Sequence, residues 1–194
     1  MKLTETTALL CIDFINEMLH PDGKIAQHGN AAFAQNTNLI SHAQRLLQHA
    51  RNQAWHVIHI RVGFDSTYSG CPANSPIFSP AKKAGILQNN TWSTNFIAGL
   101  VPQNNERVVN KPRVSAFYQT PLDSILRHHN INKVVIAGCA TDLAVQSTAR
   151  DAHDRDFEVL IVEDCCAAKD QNTHDNTIAL LKRVASITTV NALA

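Results

Sequence analysis

Residues 133–162 read KVVIAGCATDLAVQSTARDAHDRDFEVLIV, and the alternation within this stretch decides the fold. Lys133 to Gly138 is a short apolar run closed by glycine, Asp142 to Asp154 reads as a helix, and Phe157 to Val162 is a second apolar run. Apolar runs of this kind, with no polar alternation, belong to strands buried on both faces. A helix between two of them makes a strand–helix–strand unit, whose strands lie parallel.

The same pattern extends in both directions. Thr7 to Phe14 (TALLCIDF) and Trp55 to Arg61 (WHVIHIR) read as strands, and Glu106 to Asn110 as a short one. Between the first two, Ala31 to Gln53 has Leu39, Ile40, Ala43, Leu46, Leu47 and Ala50 at helical spacing. Pro121 to His129 and Thr173 to Ala185 read as helices, and Ser186 to Val190 as a last strand. The expected architecture is α/β: a three-layer, doubly wound, Rossmann-like, mostly parallel sheet of about six strands with helices on both faces. Residues 1–194 are expected to form one domain, a length that suits a full core.

Composition narrows the function. Hydrophobic residues make up 44% and charged residues 17%, too apolar for disorder. A formal net charge of +1 provides no field for nucleic acid or an anionic membrane, and no basic stripe or reader motif is present. No apolar run reaches the roughly 18 residues of a membrane span. The N-terminal MKLTETTALLCIDF reads as a strand rather than a signal peptide, so the expected location is the cytoplasm. The five cysteines (Cys11, Cys71, Cys139, Cys165, Cys166) form no CxxC pair, which argues against a disulfide framework or structural zinc site.

Doubly wound sheets bind ligands at the carboxyl ends of their strands. Three such ends carry chemistry here: Asp13 after the first strand, Lys111 after the third, and GCATDLAV at 138–145 after the fourth. A carboxylate and an ammonium brought together there would perturb each other's ionisation and manage protons; the same two charges would also serve as a structural ion pair. Val62 to Asn105 holds Pro72, Pro76, Pro80 and Pro102 and reads as a long irregular functional loop. Arg61, at a strand end, is a candidate to bind a substrate carboxylate or to form a salt bridge. Trp92 and Phe117 either wall the pocket or pack in the core, and Asn16 either orients Asp13 or caps a turn. His56 and His59 point to opposite faces of a strand, and neither they nor His128 and His129 have ligand spacing.

The wording of the motifs goes further. ALLCIDFINEM (8–18), NTWSTNFIAGLVP (90–102) and the segment from Val108 to Ala168 resemble the isochorismatase-like hydrolase superfamily, which includes isochorismatases, nicotinamidases and N-carbamoylsarcosine amidases. The most specific strings are Asp-Phe-x-Asn at 13–16, Lys-x-Arg-x-Ser-Ala-Phe at 111–117 with Thr120, Leu122 and Asp123, and Gly-x-x-Thr-Asp at 138–142. The resemblance implies a hydrolase acting on a small molecule, often as a homodimer or homotetramer. It assigns the acid/base position to Asp13 and the lysine position to Lys111. It places a cis peptide between Cys139 and Ala140 and an oxyanion hole at the amides of Ala140 and Ala144. Arg113 and Ser115 would brace the lysine loop, and Arg150 and Asp151 would be helix-surface or subunit-contact charges.

Two departures are informative. The cysteine nucleophile of the family's amidases would stand at position 144, where this chain has alanine, and a methyl group cannot attack a carbonyl. Cys139 reads as a buried small residue rather than a replacement. Nicotinamidases hold a metal through an Asp-x-His pair and a further His after the second strand; Asp65 is present, but no histidine follows until His128, so no metal and no other cofactor are expected. Three readings follow: a hydrolase without a cysteine nucleophile, as isochorismatases are, using Asp13 for proton transfer; a cysteine amidohydrolase whose nucleophile was removed at 144; and a non-catalytic small-molecule binder.

Overall fold

The computed structural model describes residues 6–193; residues 1–5 and 194, including the start of the segment weighed as a signal peptide, lie outside the described residues. Six strands form one sheet: β1 (Thr7–Ile12), β2 (His56–Val62), β3 (Arg107–Lys111), β4 (Lys133–Cys139), β5 (Glu158–Ala167) and β6 (Ser186–Thr188). Their order is β3-β2-β1-β4-β5-β6, and every neighbouring pair is parallel. Strand order reverses between β1 and β4, so the crevice expected for a ligand opens at the carboxyl ends of these two strands.

The described residues form seven α-helices: α1 (Asn16–Leu19), α2 (Asn30–Asn36), α3 (Leu39–Asn52), α4 (Pro80–Ala84), α5 (Leu122–His128), α6 (Gln146–His153) and α7 (Gln171–Leu181). The pleat of β1 shows how two cores arise from one apolar run. Leu9 and Cys11 point into the core with α1, α2 and α3, while Ala8, Leu10 and Ile12 point into the core with α5, α6 and α7. All six residues of β1 are buried, and each large aliphatic side chain removed from water contributes about 1.5–3 kcal/mol. On α3 the buried face is Leu39, Ala43, Leu46, Leu47 and Ala50, as the spacing predicts.

Several boundaries differ from the sequence reading. The helix expected over 31–53 is two helices, because Asn38 adopts a left-handed conformation (φ 54°) between α2 and α3. Asn tolerates that region better than most residues, and its presence is the local signal for the break. The helix expected at 142 begins as a π turn over Thr141–Val145 before continuing as α6. β5 runs five residues beyond Val162, past a register shift against β4 between Ile136 and Gly138. The long loop contains α4 and a 3₁₀ turn at Trp92–Thr94.

Among the described residues no helix is long and apolar enough to cross a membrane. At the crevice, β4 approaches β1 so closely that a Cβ on Gly138 would stand 2.2 Å from the Ile12 carbonyl oxygen and 2.8 Å from Ile12 Cβ. Both neighbours sit in the central strand and cannot withdraw. Gly138→Ala is therefore expected to lower stability by about 3 kcal/mol or more, measured as a shift of the urea midpoint against the parent chain; an unchanged midpoint would show that the two strands can part.

Candidate active site

Asp13 follows β1 with φ 53°, an unusual conformation for a residue with a side chain. It is held there by β2: its N–H donates to the Ile60 carbonyl at 2.7 Å, and its Oδ1 accepts from the Val62 N–H at 2.6 Å. Its Oδ2 lies 2.7 Å from Lys111 Nζ, and both side chains are almost fully buried. The pair expected from two distant strand ends therefore forms. Lys111 Nζ also donates to the carbonyls of Arg113 and Val114, each at 3.1 Å. The three protons of the ammonium are thus matched by three acceptors. Burial pushes the Asp13 carboxyl above its ordinary range, against the opposing pull of the Lys111 charge and the Val62 hydrogen bond.

The loop after Lys111 is fastened to α6. The Ala116 N–H donates to Thr148 Oγ1 at 3.0 Å, and Ser115 Oγ donates to Asp151 Oδ2 at 2.7 Å. Asp151 also pairs with Arg155 at 3.0 Å, so it belongs to this bracing set rather than to a free helix surface. Arg113 donates to the Gly70 carbonyl at 2.9 Å and ties the lysine loop to the long loop.

The peptide joining Cys139 and Ala140 is cis. The Leu143 and Val145 N–H groups both donate to the Ala140 carbonyl, at 3.2 and 3.1 Å, closing the turn that opens α6. Thr141 is fully buried and its hydroxyl meets His174 Nδ1 at 3.0 Å, so α7 supports this turn. Cys139 has no exposed surface, and its Sγ contacts the Met18 carbonyl at 3.9 Å. Burial first, then the Asp13 charge, holds its thiol well above the usual range, the reverse of what a nucleophile needs.

A cavity of about 430 Å³ joins these parts: Asp13, Lys111, Cys139, Ala140 and Ala144 all line it. Its remaining wall comes from the α1–α2 segment and from the long loop, including Met18, Ile25, Phe78, Ile86 and Leu87. A larger cleft of about 590 Å³ lies at the opposite end of the sheet, at the start of β2 and β3, and contains none of the sequence-derived site residues.

The four substrate-contact candidates do not reach the 430 Å³ cavity. Arg61 donates to Asn110 Oδ1 and the Thr94 carbonyl and lies over Phe96, because the strand's pleat turns it away from the crevice. Phe117 packs against Phe157 in the α5–α7 core. Trp92 is 45% exposed, with its ring edge-on to His20. Asn16 Nδ2 donates to the Trp92 carbonyl at 3.0 Å, so it fastens a turn rather than orienting Asp13. Asp65 is an exposed turn residue that accepts from Thr67 and Ser69. His56 and His59 do face opposite sides: His56 stacks with His129, and His59 is buried against Glu106 at 2.9 Å.

Sequence reasoning missed Glu17. It is 2% exposed, and Oε1 accepts from the Ile25 N–H at 3.0 Å while Oε2 accepts from Ser93 Oγ at 2.9 Å. Ser93 Oγ in turn accepts from the Leu87 N–H at 2.7 Å. Ile25 and Leu87 stand in two different parts of the cavity wall, and one buried carboxylate joins them. A charged residue flanked by Phe14, Ile15, Met18 and Leu19 in FINEML (14–19) was the available signal.

Comparison with known proteins agrees with this fold. An isochorismatase family protein from Desulfovibrio vulgaris subsp. vulgaris str. Hildenborough superposes with a TM-score of 0.87 at 24% identity, covering 97% of this chain and 96% of that one. A cysteine hydrolase from Pseudomonas syringae pv. phaseolicola 1448A gives 0.88 at 22% identity, covering 98% and 91%. N-carbamoylsarcosine amidase from Thermoplasma acidophilum gives 0.75 at 26% identity, covering 96% and 97%. The isochorismatase domain model matches residues 7–192, nearly the whole chain, and the chain belongs to that family.

Proposed function

We propose that this chain is a hydrolase of small organic molecules that uses Asp13 as its acid–base group and forms no covalent intermediate with the protein. One observation carries the reading: the buried Asp13–Lys111 pair stands in the wall of a cavity that also exposes Ala144, at the family's nucleophile position, as a methyl group. A methyl group has no electron pair to offer. Cys139, the nearest thiol in sequence, is fully buried and resists ionisation.

Burial keeps the Asp13 carboxyl protonated above the ordinary carboxylate range, which suits a general acid. Towards a vinyl ether, Asp13 gives its proton to the terminal alkene carbon, leaving an oxocarbenium ion. Water adds to that ion and returns a proton to Asp13, and the hemiketal then collapses to a ketone and an alcohol. Lys111 Nζ, 2.7 Å from Asp13 Oδ2, stabilises the carboxylate that forms during the step. By the family resemblance, the backbone N–H groups of Ala140 and Ala144, at the turn that opens α6, would stabilise a developing oxyanion.

Asp13→Asn should lower kcat/KM by about 10²–10⁴-fold; its amide oxygen can still accept from Val62 but its NH2 faces Lys111, so stability should fall as well, and circular dichroism checks that the variant is folded under assay conditions. Equal turnover by the variant would overturn the role of Asp13. Binding without turnover in parent and variant alike would favour a non-catalytic binder.

The pH profile carries a sign. The protonated carboxyl is the active form and burial raises its pKa, so the rate is flat at low pH. It should fall about tenfold per unit once pH rises through that raised value. A rate that rises with pH would mean that Asp13 acts as a base.

The retained turn also makes the scaffold ready for a thiol. Ala144→Cys is expected to gain hydrolysis of p-nitrophenyl esters and rapid labelling by iodoacetamide, since a helix N-terminus and Lys111 favour the thiolate. An inert, unlabelled variant would remove position 144 from the reacting centre.

A further inference from the structure

The cavity's lining restricts what it can take. Among the lining residues there is no Ser, Thr, Asn, Gln, Tyr, Trp or Arg. Outside Asp13 and Lys111 its side chains are apolar, with two exceptions: Lys24 and His28, both solvent-exposed. A hydroxyl carried into such a site loses its hydrogen bonds to water and regains few, at a cost of roughly tenfold in affinity per group.

The inner ion pair offers no anion site. The ammonium's three protons already meet Asp13 Oδ2 and the carbonyls of Arg113 and Val114. A substrate carboxylate placed there would have to displace one of those bonds. The cation with donors to spare is Lys24, whose Nζ makes one hydrogen bond, 2.6 Å to the Ala84 carbonyl. His28, four residues on, also lines the cavity and is exposed, and its ring nitrogens can donate to an anion at that edge.

A second observation points to an apolar body. Ile77 and Leu143 are 47% and 40% exposed, two of the large hydrophobic side chains left open to water, and both line this cavity. Exposed apolar surface continuous with a cavity is the usual mark of a ligand's hydrocarbon part.

We infer, taking the cavity to be catalytic as argued above, that the substrate is an apolar monoanion. Its compact hydrocarbon body sits between Phe78, Ile86, Leu87 and Met18, and its one anionic group lies at the exposed edge beside Lys24 and His28. Polyhydroxylated acids and dianions fit this lining poorly.

Three probes with one carbon skeleton test this by isothermal titration of the full chain near neutral pH: cyclohexanecarboxylate, cyclohexanecarboxamide and quinate, the tetrahydroxylated carboxylate. Cyclohexanecarboxylate should bind at least about tenfold more tightly than either of the others. Lys24→Gln should bring the carboxylate down towards the amide, by about fivefold, and leave the amide unchanged. Ile77→Ser should weaken carboxylate and amide together. Quinate or the amide binding as well as the carboxylate would overturn the inference, as would no carboxylate binding or equal losses for all probes in Lys24→Gln. Titration reads binding alone, so a chain that binds the carboxylate but hydrolyses nothing fails as a hydrolase and not here. A chain that hydrolyses other compounds but ignores the carboxylate fails here and not as a hydrolase.

Discussion

A carboxylate and an ammonium buried 2.7 Å apart impose the condition that the rest of the site satisfies. Removing both charges from water costs several kcal/mol each, and their mutual attraction offsets this only if the remaining hydrogen-bonding positions are filled. They are filled by backbone. Val62 N–H serves the free oxygen of Asp13, and the carbonyls of Arg113 and Val114 serve the ammonium. The pair therefore depends on the ends of β1, β2 and β3 lying in register, and on the lysine loop being pinned to α6 through Ser115, Ala116, Thr148 and Asp151. Such a pair is poor evidence for stability. Under the proposed function, the pair serves instead to hold a proton-handling group at a raised pKa.

The sheet places the Asp13–Lys111 pair and the irregular chain builds the cavity wall. Asp13, Lys111, Cys139 and Ala140 come from strand ends or the residue beyond, where regular hydrogen bonding fixes the backbone on at least one side. The apolar wall comes instead from segments 24–28 and 76–87, which the sheet does not order. Glu17 makes up for this. With its two oxygens on Ile25 and Ser93, and Ser93 on Leu87, it links both segments to the turn that begins at Asp13. Asn16 adds a further tie, to Trp92. The short stretch from Asp13 to Glu17 thus carries the reacting group and the fastenings of the wall around it.

The fold and the ion pair were legible because each leaves a signal in one dimension. A buried parallel strand is a run of apolar residues, and a strand's end is where that run stops, so Asp13 and Lys111 could be placed at strand ends able to converge, and the family motifs then paired them. The substrate contacts were not legible, because they depend on side-chain direction at a boundary. Arg61 is a strand-end residue like Asp13, yet the pleat sends it to Asn110 and Thr94 instead of the cavity. Phe117 sits six residues beyond Lys111 in the most specific motif and still faces the other core. The wall lay in the stretch with least periodicity, where Pro76, Ile77, Phe78, Ile86 and Leu87 carry no pattern that distinguishes a cavity lining from a core. The break at Asn38 had only a single asparagine to announce it.

Cys139 and Ala144 show why position in the turn matters more than residue type. Cys139 ends β4, and there the thiol is enclosed by the α1–α3 core, near the Asp13 carboxyl and the Met18 carbonyl, an environment that opposes a thiolate. Ala144 is five residues on, within the turn that opens α6, where the cavity reaches it and the helix terminus favours negative charge. The chain has a thiol where it cannot ionise and a methyl group where a thiolate would be favoured. The Asp13–Lys111 pair is held by contacts in which the side chain of residue 144 takes no part. Under the proposed function, that arrangement would suit a reaction that needs a proton delivered and a charge stabilised, and not one that needs a covalent bond to the protein.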